Sequence, residues 1–420
     1  MPTFQTRERD DTMLQVEEAQ QRVLAEVTPL EAEDVPLYEA LGRVLAEDVA
    51  ANRDVPQADN TAMDGYAVRA SDVETASGNR EVTLAVVEDL PAGRVATKAV
   101  GAGEAIRIMT GAPMPEGADA VVPVEMTDAG SEQVTVHRGV RAGANIRRRG
   151  EDMMSGSIVL PRGSRIGAAE LGVLATVQKP VVSVSRRPEI AVLSTGDEVI
   201  DLSASPEPGK VVNSNSWSLS ALVTEAGAIP RPMGIVPDDS DATIRAIESA
   251  ASSDMIISSG GVSAGAYDFV KDALDALGAE TKFWQVAMKP GRPIVLSKVR
   301  GKLYFGLPGN PVSCMVSFLL FIGPAIRTAM GQTAEIFPPT VMVRLSEGLK
   351  SRGDRRAYQR VKVVSRDGAL VALPMRAQGS GVSTSMVGAN GFAVMDAGVT
   401  FAEAGSMIPA VLFGPVGSEM

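Results

Sequence analysis

The 420-residue chain has one cysteine, Cys314, and one histidine, His137. A lone thiol excludes an intrachain disulfide and fits a reducing compartment. One cysteine and one histidine cannot build a three-histidine or a mixed Cys/His zinc site within one chain, and any Ser-His-Asp triad would need His137. The alternating stretch Val134-Thr135-Val136-His137-Arg138 reads instead as a strand edge. Long hydrophobic runs are also missing. The longest, Val312 to Ile326, falls short of the ~20 residues that span a bilayer and contains Gly323 and Pro324, so it is expected to form a buried helix. Met1 to Asp11 is charged and lacks the apolar segment of a signal peptide. Basic charge is in deficit too: 40 Lys and Arg against 51 Asp and Glu give a net charge of −11. That balance disfavours nucleic acid and acidic membrane surfaces as partners. A cytoplasmic protein is expected, whose chemistry comes from carboxylates, lysines, arginines and backbone amides.

What is present is enough apolar material, 45% of residues, for several cores. Length alone allows roughly two to four domains at ~150 residues each. Val16, Ala19, Val23, Leu24 and Val27 fall at helical spacing and predict an amphipathic helix over about 13–27. From Val55 the texture changes to short β-rich runs with many Gly and Pro: Glu81 to Val87, Ala105 to Met109, Ala120 to Val124 and Gln133 to His137. Helical signal resumes at Ala168 to Ala175. The expected organisation is a discontinuous N-terminal helical and linker domain over 12–54 and 153–187, with a β-rich inserted domain over 55–152. An α/β domain follows over 188–332, then a C-terminal β-barrel-like domain over 333–420. In the α/β part, strand signals (Ile190 to Ser194, Arg231 to Val236, Asp254 to Ser258, Phe283 to Ala287, Pro293 to Ser297, Leu303 to Gly306) alternate with helical ones. The helical signals are Leu219 to Ala226, Asp241 to Ala251, Phe269 to Ala276 and Pro311 to Met330. Such alternation implies a mostly parallel sheet with helices on both faces. Thr340 to Leu345, Ala357 to Ser365, Leu370 to Pro374 and Gly391 to Ala397 carry the C-terminal β signals.

Three glycine-bearing loops follow strands of the α/β domain. The first is Ser194-Thr195-Gly196-Asp197-Glu198. The second runs from Ser258-Ser259-Gly260-Gly261-Val262-Ser263 to Asp268, and the third is Gly306-Leu307-Pro308-Gly309-Asn310-Pro311. Bare backbone N–H groups at a helix start suit an anion, and ligands of open α/β sheets sit beyond the carboxyl ends of strands. Asn310 is placed to cap a helix with Pro311 at its first position. Asp197, Glu198, Asp238, Asp239 and Asp268 accompany these loops, an all-oxygen set suited to Mg2+ bridged to phosphate. One of Asp238 and Asp239 is also expected to cap the following helix. Met288-Lys289-Pro290-Gly291-Arg292-Pro293 presents two cations on a stiff turn, suited to a compact oxyanion. In the insert, Arg147-Arg148-Arg149-Gly150-Glu151-Asp152 reads equally as a solvated face or as a partly paired anion site.

Seven segments, in this order, resemble the molybdopterin molybdenumtransferase (MoeA / gephyrin E-domain) family: DNTAMDGYA at Asp59 to Ala67, IMTGAP at Ile108 to Pro113, RRRGED at Arg147 to Asp152, STGDE at Ser194 to Glu198, SSGGVSAG with Asp268, MKPGRP at Met288 to Pro293, and GLPGNPVS at Gly306 to Ser313. The resemblance implies a multidomain α/β plus β fold whose central α/β domain binds molybdopterin. It implies adenylylated molybdopterin and molybdate as substrates, with Mg2+ or another divalent cation assisting release of AMP. Asp59, Asp152, Glu198, Asp238 and Asp268 would be catalytic, with Glu198 and Asp268 as metal ligands. Substrate would be held by Thr110, Arg147, Thr195, Gly196, Gly260, Gly261, Ser263, Lys289, Gly291, Arg292, Pro293, Pro308, Gly309, Asn310, Arg355 and Ser385. The family also implies a homodimer in which Asp59, Thr110 and Asp152 serve the partner's site. A molybdopterin adenylyltransferase and molybdoenzyme apoproteins or their chaperones would be further partners. The chain departs from the pattern at Arg292, where lysine is frequent, at Asn213, where an acidic residue is common, and at Ala264 and Ala266. An adenylyltransferase-like enzyme and a gephyrin-like dimeric scaffold are the alternatives.

Overall fold

The computed structural model describes residues 13–262 and 269–418. Contacts divide the chain into two compact units: Asp48–Arg162 with Ala168–Pro180, and Met1–Glu47 with Gly163–Gly167 and Val181–Met420.

The larger unit is built on six strands: β1 (Glu189–Thr195), β2 (Ile229–Val236), β3 (Met255–Ser259), β4 (Glu280–Gln285), β5 (Pro293–Val299) and β6 (Lys302–Leu307). Their order is β2-β1-β3-β6-β5-β4. Pairing is parallel from β2 through β6 and antiparallel from β6 through β5 to β4. The change of direction has a local cause. Only Arg300 and Gly301 join β5 to β6, both at positive φ (50° and 77°), the geometry of a tight hairpin and too short for a crossover.

Side chains leave β1 alternately. Ile190 and Val192 enter one core, and Ala191 and Leu193 another, so the sheet is buried on both faces. The first core is filled by helices α1 (Val16–Ala25), α2 (Ser214–Glu225), α5 (Pro311–Ser317) and α6 (Gly323–Ala329); the second by α3 (Ser240–Ala250) and α4 (Phe269–Ala276). Asn213 caps α2 by accepting the Ser216 amide at 3.2 Å, and Asp239 caps α3 by accepting that of Ala242 at 2.7 Å. Between α5 and α6 the ladder loosens into a π turn over Phe318–Ile322. Pro324 there has no N–H to give, so a continuous α ladder cannot form. The run Pro311–Ala329 is long and apolar enough to cross a membrane by length and composition, but 78% of its most apolar window is buried in the fold.

Strands β7 (Thr340–Leu345), β8 (Arg356–Arg366), β9 (Ala369–Pro374), β10 (Gly391–Met395) and β11 (Met407–Leu412) close on themselves in the order β8-β9-β7-β11-β10-β8. This five-stranded barrel removes its own sheet edges. Met288–Lys289 pairs in parallel with Arg356 and Ala357, which attaches the cationic turn to the barrel. Tyr358, Met386, Phe392 and Val411 of the barrel region belong to the same apolar core as β1, α2 and α5.

In the smaller unit, Gly65–Val68, Val82–Leu90, Glu104–Ile108, Ala120–Pro123 and Gln133–Val136 form a five-stranded sheet. His137 follows the last of them at the surface, with Nδ1 2.8 Å from Glu81 Oε1.

Candidate active site

The carboxyl ends of β1, β3 and β6 are neighbours in the sheet, and all three glycine loops leave from that edge. From β1 the chain passes to β2 on one side and later to β3 on the other. That is the switch point where a crevice opens in α/β sheets. Gly260 sits at φ +96°, and a Cβ there would lie 2.5 Å from the Thr195 carbonyl oxygen. Its amide donates to the Leu307 carbonyl at 2.9 Å, which binds the second loop to the root of the third. Gly309 is exposed, and a Cβ placed there would meet only the Gly260 Cα, at 4.0 Å. Asn310 holds the N-cap position of α5 with Pro311 behind it, but its side chain makes no capping bond. The Thr195 hydroxyl is buried with no hydrogen-bond partner among the described residues. Ser263 and Asp268 lie outside the described residues.

Acidic residues gather beside the first loop. The Asp197 amide faces Asp238 Oδ2 at 3.4 Å, and the Asp238 amide donates to Asp197 Oδ1 at 3.1 Å. Asp239 is the helix cap, which leaves Asp238 free of that duty. Burial, and then the nearby Asp197 and Glu198 carboxylates, push the Asp238 carboxyl above the ordinary aspartate range. Repulsion of this kind is relieved by a cation, so the donor set fits a hard divalent ion. Among the described residues no group of three or more His, Cys, Asp or Glu is assembled to hold a metal. An ion bound here would therefore complete its shell with water and substrate oxygens, as Mg2+ commonly does.

A cavity of about 1000 Å3 opens where the cationic turn meets the barrel. Lys289, Gly291, Arg292, Pro293, Pro308, Asn310 and Arg355 line it, joined by Lys350, Arg360 and Arg376; Glu347 is the only lining carboxylate among the described residues. Gly291 is obligatory: at φ +100°, its Cβ would lie 2.5 Å from Met288 Cε and 2.9 Å from Ser317 Oγ. Arg292 Nε donates to Gln285 Oε1 at 3.0 Å, which fixes the guanidinium on the turn. Arg355 donates to Asp354 at 2.8 Å and is partly neutralised. Ser385 is buried and does not line the cavity; its hydroxyl donates to the Val382 carbonyl and accepts from Arg360 Nε at 3.2 Å.

Arg360 was not singled out by motif. It is 1% exposed and donates to the carbonyls of Ala377 and Gly379, each at 3.1 Å. No carboxylate among the described residues pairs with it, and burial lowers its pKa. A guanidinium desolvated without a counter-ion is expensive, and an anionic ligand is the natural compensation. The available signal was a lone arginine inside the otherwise apolar and neutral run Ala357-Tyr358-Gln359-Arg360-Val361.

The remaining candidates lie in the smaller unit. Asp59 accepts from Arg148 Nη1 at 2.6 Å and from the Arg149 amide at 2.8 Å; the amide and then the guanidinium hold its carboxyl below the usual range. Thr110 gives both its hydroxyl (2.6 Å) and its amide (2.7 Å) to Asp64 Oδ1. Arg149 pairs with Asp54 at 2.5 Å, so two of the three consecutive arginines are committed within the unit. Arg147 lies opposite Asn60 in a short ladder, and Arg147 and Asp152 are exposed without an ion-pair partner among the described residues.

Comparison with known proteins accounts for almost the whole chain. Residues 14–177 match the MoeA N-terminal region (domain I and II), 191–328 a probable molybdopterin binding domain, and 342–413 the MoeA C-terminal region (domain IV). A molybdopterin molybdenumtransferase of Bacillus subtilis is 36% identical over 407 residues, 96% of this chain and 94% of that one. Another, from a Nostoc species, is 40% identical over 332 residues, 78% of this chain and 76% of that one. The crystal structure of a molybdopterin biosynthesis MoeA protein from Pyrococcus horikoshii superposes with a TM-score of 0.81 at 29% identity, covering 96% of this chain and 100% of that one. With these three regions in order and full-length relatives above the 30% level, the chain belongs to the MoeA family of molybdopterin molybdenumtransferases.

Proposed function

We propose that the chain inserts molybdate into adenylylated molybdopterin, yielding molybdenum cofactor and AMP. The observation that carries this reading is the cavity beside the third glycine loop, where Lys289, Arg292 and the uncompensated Arg360 converge with one carboxylate. A tetrahedral dianion matches that charge and size. Lys289 contributes a point charge, while the guanidinium groups of Arg292 and Arg360 offer directed donors. The backbone at Gly261 and Gly309–Asn310 is offered to the phosphate-bearing substrate, the Gly196 and Gly260 amides being bonded to the Val236 and Leu307 carbonyls.

A divalent cation such as Mg2+, held by Glu198 and Asp268 near Asp238, would offset charge on the phosphate oxygens when bound. Asp197, Glu198 and Asp238 keep the neighbourhood negative enough to attract such an ion. Lys289 and Arg292 hold the oxyanion at the far end, on the turn that pairs with the barrel.

Asp59, Thr110 and Asp152 are assigned to the partner's site in a cytoplasmic homodimer. Delivery of substrate by an adenylyltransferase, and of product to apo-molybdoenzymes or their chaperones, completes the reading. The test is AMP release from adenylylated molybdopterin with Mg2+, with and without molybdate. Molybdate-dependent release, lost in Glu198→Ala, supports the reading; tight binding without release points to a scaffold. Mixing Asp59→Ala with Glu198→Ala chains tests the shared site. Verified heterodimers regain activity if the two residues serve one site from two subunits, and stay inactive if they do not.

A further inference from the structure

Three glycine loops that leave separate strands are fixed at their roots by the sheet, but a ligand touches their outer parts. In this chain one turn of helix adds side-chain ties at the roots of the first two, where Ser194 and Ser259 are paired strand residues, and in the outer part of the third at Gly309. Asn213 Oδ1, besides capping α2, accepts the Ser194 hydroxyl at 2.8 Å. With its proton committed to Asn213, Ser194 Oγ is the acceptor for Ser259 Oγ, 3.2 Å away at the start of the second loop. Two residues further, Asn215 Nδ2 donates to the Gly309 carbonyl at 2.8 Å in the third loop. The first turn of α2 thus reaches the loop after β1 directly, the loop after β3 through Ser194, and the loop after β6 through Gly309. Ser194, Ser259 and Asn215 are 2%, 3% and 9% exposed, while Asn213 is half-buried and Gly309 exposed. The Ser194–Ser259 contact is buried and has no water to replace it, so losing its alignment leaves a hydroxyl unsatisfied. Asn215 even keeps its Oδ1 buried without a partner among the described residues, an arrangement a protein retains only where the other end of the amide is needed.

We propose that Asn213 and Asn215 are positioning residues that hold the three glycine loops in one mutual register for the phosphate-bearing substrate. The inference rests on the reading that these loops grip that substrate. An aspartate at 213 offers the same acceptor to Ser194 and to Ser216, so the carboxylate preserves the register. An alanine at either position removes it.

The test compares Asn213→Ala, Asn215→Ala and Asn213→Asp with the unaltered protein by amide hydrogen exchange and steady-state kinetics. Asn215→Ala is expected to speed exchange over residues 306–310, and Asn213→Ala over 194–198 and 258–262. Each raises KM for adenylylated molybdopterin about tenfold, the worth of one buried hydrogen bond of about 1.4 kcal/mol. In Asn213→Ala the KM for molybdate stays within about twofold, because Lys289, Arg292 and Arg360 lie off the first two loops; Asn215→Ala is not held to that limit, since Pro308 and Asn310 line the oxyanion cavity. Asn213→Asp restores the pterin KM. A purely structural role lowers melting temperature and active fraction without separating the two KM values, and that result overturns the proposal. Unchanged exchange in all three loops overturns it as well. If the unaltered protein releases no AMP, the proposed activity fails, while the exchange pattern still decides whether the loops are coupled.

Discussion

Replacing Arg360 with methionine separates anion binding from stability. The arginine is 1% exposed and spends its donors on Ser385 Oγ and the carbonyls of Ala377 and Gly379. Each bond contributes about 1 kcal/mol net. Against that loss, methionine has similar length and removes the cost of burying a charge without a counter-ion, which in comparable cases leaves stability near neutral. The expected change in unfolding free energy is therefore small, within about 2 kcal/mol in either direction. Binding should respond differently. Hydrogen bonds to a charged partner contribute about 1.5–3 kcal/mol, so KM for molybdate should rise about 10- to 150-fold. Arg355→Ala is the control, since that guanidinium is already engaged by Asp354, and less than threefold is expected from so local a surface pair. Urea denaturation and molybdate-dependent AMP release measure the two quantities. An unchanged molybdate KM in Arg360→Met, with a large rise in Arg355→Ala, would show that the wrong arginine has been placed at the oxyanion.

Three further outcomes are open to direct measurement. Asp238→Asn should raise the melting temperature at pH 7. A carboxyl whose pKa is raised by folding loses stabilisation as pH rises through that folded pKa, so the gain should shrink as pH falls to the ordinary aspartate range near ~4; a gain that persists there refutes the charge argument. Gly260→Ala meets the Thr195 carbonyl at 2.5 Å from a positive φ, and strain together with overpacking should cost about 2–5 kcal/mol in urea unfolding; a loss under ~1 kcal/mol means the loop is not held as described. Burial pushes the Cys314 thiol up, and its Sγ donates to the Pro308 carbonyl, so it should resist a thiol-reactive dye in the native protein and react fully in denaturant. Rapid native labelling contradicts the burial.

Much of this molecule was legible from residue order. Sequence alone located the glycine loops that follow strands at 194–198 and 306–311 and the start of the one read over 258–268, whose residues 263–268 lie outside the described ones, because the chain must turn sharply at a sheet edge and only certain residues allow it. It also identified the cationic Pro-Gly turn and, from the single cysteine and histidine, ruled out whole classes of catalytic site. These are local constraints, written in consecutive residues. Tertiary structure decided the rest. The antiparallel edge of the sheet hangs on the two positive φ values at Arg300 and Gly301. Closure of the barrel depends on β10 returning to β8, a pairing between segments with no shared local signal. Burial distinguished Arg360, with no counter-ion, from Arg355, paired to its sequence neighbour Asp354, although the two arginines are chemically identical. Residue type determines what a group can do. Its neighbours in space, which desolvate it or pair it, decide what remains for it to do.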